Sequence, residues 1–279
     1  MNTGSTLTRR GVLAASVLAA ASVPALVHAA PLKVADRKNL MATYARMRGA
    51  KNDGLALWWY TGTVWGKPVD DVAVPMFLVQ GLTFNRLVMK PDGTIEQALT
   101  GRGWYADPKT GKPLEKWKNP YTGEQVVPPH IKSLQKQTIR ADGTLPSGDR
   151  ERLDIFSGGL GSPIINGDTI WMTENFVAKS KPDETRNGAV NTTSSLSTFT
   201  AKVADVENDE ADFVPCYLNY QSLGSWPVWM KMDGVDKARG GSLSWQTRGH
   251  KVRGPEAASA DLRAWIEERR NGFLANPGI

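Results

Sequence analysis

The stretch Leu55 to Gly66, LALWWYTGTVWG, constrains the fold more than any other part of the chain. Read as a strand, it sends Leu55, Leu57, Trp59 and Trp65 to one face and Trp58, Tyr60 and Val64 to the other, because successive side chains alternate. Both faces are apolar or aromatic, and both need cover from water. A barrel supplies it: the lumen takes one face, and flanking helices or loops take part of the other.

Turn chemistry recurs at strand-length intervals through the rest of the chain. MFLVQGLTFNRLVMK (76–90) runs through Pro-Asp-Gly into TIEQALTGRGWYA, a predicted hairpin. IINGDTIWM (164–172) carries Asn166-Gly167, a strong hairpin signal, and the chain turns again at Thr110-Gly111. Further strands are expected at 152–156, 197–203, 214–221, 228–232 and 243–248. About eight to ten antiparallel strands favour a closed barrel, since closure removes exposed edges. A two-sheet sandwich is the alternative.

Helical spacing shows only near the two ends. Leu40, Met41, Tyr44 and Met47 follow Asp36, a predicted N-cap, and Gly49 stops the pattern. Near the C-terminus Ser259 precedes a stripe of Leu262, Trp265 and Ile266 that ends on Asn271-Gly272. The glycine-rich SGGLGSP (157–163) has neither the strand-to-helix context of a nucleophile elbow nor the Lys-Ser/Thr of a phosphate loop, and reads as a bend or bulge. Residues 178–197, polar and rich in turn formers, read as a long loop, either a lid or an insertion.

Residues 1–29 read as an address. Arg9 and Arg10 precede an Ala/Val/Leu run and a small-x-small site at Val27-His28-Ala29, the pattern of a cleaved twin-arginine export signal. The run is broken by Pro24 and is shorter than the roughly 20 apolar residues of a membrane span, so no stable span is expected. The expected partner is then the twin-arginine export machinery, the destination the periplasm, and residues 30–279 a single domain. Lys and Arg total 34 against 28 Asp and Glu, and two of the arginines fall in the signal, so the charge gives little reason to expect nucleic acid. The one cysteine, Cys216, excludes an internal disulfide framework. Few thiols and imidazoles leave little for an iron–sulfur, haem or copper centre, and no cofactor is expected. A site built on His130, His250 and a carboxylate stays open, although no metal-ligand spacing supports it.

Three blocks carry a resemblance: WWYTGTVWGKP (58–68), GWYADPKTGKPLEKWKNPYTGEQVVPPH (103–130) and GDTIWMTENF (167–176). In these the chain resembles a bacterial family known as domain of unknown function 1838, over roughly residues 36–250. The resemblance implies a lipocalin-like antiparallel barrel. It carries over no catalytic residue.

Chemistry is therefore sought in polar residues on apolar faces. Glu174 shares its strand face with Ile170, Met172 and Phe176, and Arg86 shares its own with Leu82, Phe84 and Val88. If they met inside a barrel they would form an ion pair or an anion and acid site. His130, after Pro128-Pro129, and Tyr121 upstream of it are proton-transfer candidates with Glu174. Trp58, Trp59, Tyr60, Trp104, Tyr105 and Trp171 are candidates to line a pocket for an aromatic or apolar small molecule, anchored by Arg86. Three functions follow: a cofactor-independent lyase, isomerase or hydratase working by proton transfer; a lipocalin-like carrier without turnover; or an interaction domain whose tryptophans are only core.

Overall fold

Why the aromatic stretch can be apolar on both sides follows from what lies on each face of its strand. The computed structural model describes Val34, Asp36 and residues 39–146, 148–149, 153–180, 192–232 and 241–279. The expected export signal lies outside the described residues. Helix α1 (Leu40–Arg48) leads into β1 (Leu55–Lys67), β2 (Val74–Met89), β3 (Ile95–Ala106), β4 (Trp117–Lys118), β5 (Gln125–Val126) and β6 (Ile131–Ile139). Then come β7 (Gly148–Asp149), β8 (Leu153–Leu160), β9 (Ile164–Asn166), β10 (Thr169–Ser180), β11 (Thr192–Lys202), α2 (Val203–Glu207), β12 (Tyr217–Gly224), β13 (Ser242–Val252) and α3 (Ala260–Arg269). Among the described residues no helix is long and apolar enough to cross a membrane.

The main sheet runs β6-β3-β2-β1-β13-β12-β11-β10-β8-β7, with β9 paired to β10 and every pairing antiparallel. β4 and β5 pair separately. Strand β1 joins the two ends of the domain, since its neighbours are β2 and the last strand, β13. The gap between β6 and β8 is bridged at one end: past the turn after β6, Leu145 N donates to Gly158 O at 3.0 Å and Leu160 N to Gly143 O at 2.8 Å. A Cβ on Gly159 would stand 2.9 Å from Gly143 O, so this approach needs a residue without a side chain. The result is a nearly closed all-β barrel.

Trp58, Tyr60 and Val64 of β1 face inward, and Leu57 and Trp59 face outward. The outer face is covered by α3 and the chain beyond it: Leu262, Ile266 and Phe273 are fully buried against Leu57, Leu82, Phe84 and Trp104. Full burial of each such side chain stabilises by about 1.5–3 kcal/mol. Ser259 caps α3 as expected, its Oγ accepting from Leu262 N at 3.2 Å.

α1 does something different: it plugs the end of the barrel. Leu40, Met41, Tyr44 and Met47 pack among Ile95, Ile139, Ile170, Met172 and Phe199. Its N-cap is Asn39 rather than the expected Asp36, because a turn in which Asn39 N donates to Asp36 O at 2.8 Å delays the helix. Its C-terminal carbonyls are taken up by barrel side chains. Lys251 Nζ donates to Arg46 O and Gly49 O, both at 2.9 Å, and Trp58 Nε1 to Arg48 O at 3.0 Å. A buried amine and an indole thus satisfy groups a helix end leaves open.

Three local expectations are corrected. Residues 228–232 are not a strand: Val228–Met230 forms a 3-10 turn, entered from Pro227 and left through Lys231 at φ 52°, which breaks extended backbone. The expected loop 178–197 is mostly sheet, with β10 reaching Ser180 and β11 starting at Thr192; only 181–191 lies between, outside the described residues. Its serines and threonines read as loop because the barrel interior they face is itself polar. β6 was not expected as a strand, since its alternation is set in lysine, serine and glutamine rather than in apolar residues. A register shift does occur in β8, but one residue before 157–163: Val177 pairs with Ser157 and Ala178 with Ile155, which leaves Phe156 as the extra residue.

Candidate functional site

Inward-facing side chains leave a cavity of about 440 Å³ inside the barrel, within the size range of small-molecule sites. Its aromatic lining is Trp58, Tyr60, Phe176, Phe199, Tyr220 and Trp245, and its polar lining is mostly hydroxyls and amides: Thr83, Ser133, Ser197, Ser222 and Thr247, with Asn85, Gln135 and Gln137. Room for Tyr60 is made by glycines on the neighbouring strands. A Cβ on Gly81 would stand 2.3 Å from its hydroxyl oxygen and one on Gly103 2.9 Å from it, so the phenol lies across β2 and β3. Burial, with smaller contributions from Tyr105 and Tyr220, pushes the Tyr60 hydroxyl far above its usual range and keeps it a neutral donor.

The cavity holds two opposite charges. Arg48, the last residue of α1, reaches in so that Nη1 donates to Glu174 Oε2 at 2.7 Å, with the side chains 13% and 7% exposed. Gln137 Nε2 donates to Glu174 Oε1 at 3.2 Å. The Gln97 amide stands between Asn85 and Gln137, beside the Arg48 guanidinium. The guanidinium also stacks over Phe199, 4.9 Å from the ring centroid. Burial works to lower the Arg48 pKa, but the field of Glu174, helped by Tyr44, overrides it and the net shift is upward. Beside the pair lies the Tyr44 hydroxyl, buried without a hydrogen-bond partner of normal length and raised well above its usual pKa, first by burial. Chemically this is a neutralised polar floor beneath aromatic walls, able to orient a hydrogen-bonding head group.

Of the residues expected from sequence, the structure brings Trp58, Tyr60 and Glu174 to the cavity. Tyr105 faces inward but packs in an aromatic cluster with Phe77, Trp229 and Trp245, behind the cavity wall. Trp59, Trp104, Trp171 and Arg86 do not line it. Trp59 packs against His250 with ring centroids 5.4 Å apart and Trp104 meets Trp265 edge-on at 5.6 Å, both outside the barrel. Trp171 sits between the inward Ile170 and Met172, and so points out. Arg86 is in phase with Leu82 and Phe84 as expected, but theirs is the face under α3, so Arg86 and Glu174 do not meet and the partner of Glu174 is Arg48. His130 and Tyr121 do not join Glu174. His130 lies in a groove beside α3, and Tyr121 packs against Trp226 at 6.3 Å. His250 packs between Trp59 and Tyr217, and among the described residues no three metal-ligating side chains come together.

Missed in the sequence were Arg48, Asn85, Gln97, Gln137, Tyr220 and Thr247. By its sequence position Arg48 is an ordinary basic residue in a helix's last turn. Asn85 and Gln97 had a legible signal: each shares strand parity with a buried aliphatic residue, Leu87 and Ile95 respectively, which places an amide on an apolar face.

The family model described as a protein of unknown function, DUF1838, matches residues 53–278. The chain belongs to the DUF1838 family. The matched span of this DUF1838 member takes in every strand and α3 but starts after α1, so Glu174 lies within it and Arg48 does not. No curated protein and no solved structure matches the chain.

Proposed function

We propose that this DUF1838 protein binds a small molecule inside its barrel, as a carrier in the manner of lipocalins. An aromatic or apolar body would lie against Trp58, Tyr60 and Trp245, with a neutral hydrogen-bonding head at the Arg48–Glu174 floor. The observation that carries this reading is the 440 Å³ cavity with aromatic walls and a charge-balanced floor. Carriage is favoured over turnover because Glu174 is already engaged by Arg48 and Gln137, and the other expected proton carriers, His130 and Tyr121, lie elsewhere.

The decisive experiment is native mass spectrometry of the protein purified from its own cells, with organic extraction of anything bound, followed by tryptophan-fluorescence titration with a neutral naphthylamine probe. A stoichiometric ligand, or saturable quenching abolished by Ser197→Trp, which fills the lumen, supports the reading. No ligand and no quenching sinks it.

Proton-transfer catalysis is the second reading, favoured by the buried Tyr44 hydroxyl beside Glu174. Turnover of the extracted ligand that disappears in Glu174→Gln would establish it. We also propose export to the periplasm by the twin-arginine route, on the strength of Arg9-Arg10 and the apolar run after them. Arg9→Lys/Arg10→Lys should then leave the protein in the cytoplasm on cell fractionation.

A further inference from the structure

The motif that ends in Pro128-Pro129-His130 folds back against α3 and forms a second concavity, of about 360 Å³, on the outside of the barrel. His130 adopts φ 38°, in the left-handed region, where a residue with a side chain is strained by on the order of 1–3 kcal/mol. Two contacts hold it there. Its Nδ1 accepts from Tyr105 N at 3.2 Å, and its ring meets Trp265 edge-on at 4.9 Å. Because Nδ1 is an acceptor, the neutral ring carries its proton on Nε2, which leaves a donor on a ring that lines the groove.

The same groove is lined by Arg102 from β3, Lys132 from β6 and Arg270 just beyond α3. Arg102 and Arg270 stack on one ring, their guanidinium carbons 4.8 Å and 5.1 Å from the centroid of Phe273, so two like charges are held close together. Burial and then the charge of Arg270 hold the Arg102 pKa down. Among the described residues no carboxylate pairs with Arg102, Lys132 or Arg270. Neighbouring acids are engaged elsewhere: Glu115 and Glu268 pair with Arg269 at 3.4 Å and 3.1 Å, and Glu267 accepts from Leu274 N at 2.8 Å. Like charges gathered in a concave site without a counterion repel one another, and an anion relieves that repulsion.

We propose that this groove binds the phosphate group of a phosphomonoester. Arg102, Lys132 and Arg270 supply the charge, His130 Nε2 donates a hydrogen bond, and Trp265 and Ile131 border the group that carries the phosphate. Three uncompensated cations suit a dianion better than a carboxylate, and the guanidinium fork matches its oxygens. The site is separate from the lumen and independent of the carrier reading.

The chain holds only three histidines, so the His130 imidazole is readily resolved by NMR. In the free protein, burial and then Arg269 hold its pKa below the usual 6.5, against an opposing pull from Glu115. Inorganic phosphate should raise the His130 titration midpoint saturably, because a neighbouring anion favours the imidazolium. Chloride at matched ionic strength should not. Lys132→Gln and Arg270→Gln should each weaken the phosphate response about tenfold, the size of one charge-assisted hydrogen bond. Glycerol phosphate and vesicles of phosphatidic acid, set against phosphatidylcholine vesicles, separate the two sources of the group. A response to the soluble ester assigns a free metabolite, and one confined to phosphatidic acid assigns a lipid headgroup. No response to any of these probes, or a shift that chloride reproduces and the two variants leave unchanged, overturns the proposal.

Discussion

Arg48 and Arg270 stand at the C-terminal ends of their helices, Arg48 as the last residue of α1 and Arg270 as the C-cap of α3, where the helix dipole favours a cation. Arg48 ends inside the barrel, 2.7 Å from Glu174 and within reach of the Gln97 amide. Arg270 ends outside, stacked on Phe273 beside Arg102, with no carboxylate partner among the described residues. The difference lies in water. A charge removed from solvent requires local compensation, since an uncompensated one costs several kcal/mol; a solvated charge can stay unpaired and wait for a ligand. One sequence signal, an arginine at a helix end, thus has two unrelated consequences.

The sharpest way to break this contrast is to remove one partner on each side. Glu174→Ala leaves Arg48 buried without its counterion and is expected to destabilise the fold by about 3–5 kcal/mol in chemical denaturation. Arg270→Gln should move stability by no more than about 0.5 kcal/mol. Equal losses would mean that burial does not set the requirement. Pairing Arg48→Met with Glu174→Leu sharpens the point: the double variant should recover most of the loss, because an apolar pair needs no compensation. A double variant as unstable as Glu174→Ala would instead make the amide network the main contributor.

Gly81→Ala tests the lumen apart from its charges. Its methyl group collides with the Tyr60 hydroxyl, so a loss of about 1–3 kcal/mol and weaker binding of aromatic probes are expected together. The smallest effect is pH-dependent. The folded-state pKa of His130 is depressed, so its contribution to stability is fully present above its unfolded value near 6.5 and is lost as pH falls through the folded value. Acid destabilisation over that window should shrink in His130→Gln, and in the wild type with saturating phosphate, as read by thermal unfolding at a series of pH values.

Much of the barrel was legible in the chain. The two-sided aromatic strand, the Pro-Asp-Gly and Asn-Gly hairpins and the Ser259 cap each report a local rule, and each rule operates within a few residues. β6 and the start of β11 were not legible, because their inward positions carry Gln137, Gln97-facing amides, Thr193, Ser195 and Ser197, the residue types that otherwise mark loops. Polar residues facing a polar lumen cannot be told from polar residues facing water by pattern alone. Strand parity correctly grouped Arg86 with Leu82 and Phe84, and Glu174 with Ile170 and Met172, but with both faces of β2 apolar it could not say which one was inside.

Determined by sequence alone were the antiparallel strands with their turns, the terminal helices, the absence of a disulfide framework and the family, since these depend on residue identity and short spacing. Left to the tertiary structure were which face of each strand became the lumen, which arginine met Glu174, and that His130 turned outward to a groove of its own. Those outcomes depend on closure of the sheet and on where α1 and α3 dock. α1 brings Arg48 to a carboxylate 126 positions away in the chain, and no local pattern encodes a contact that only barrel closure creates.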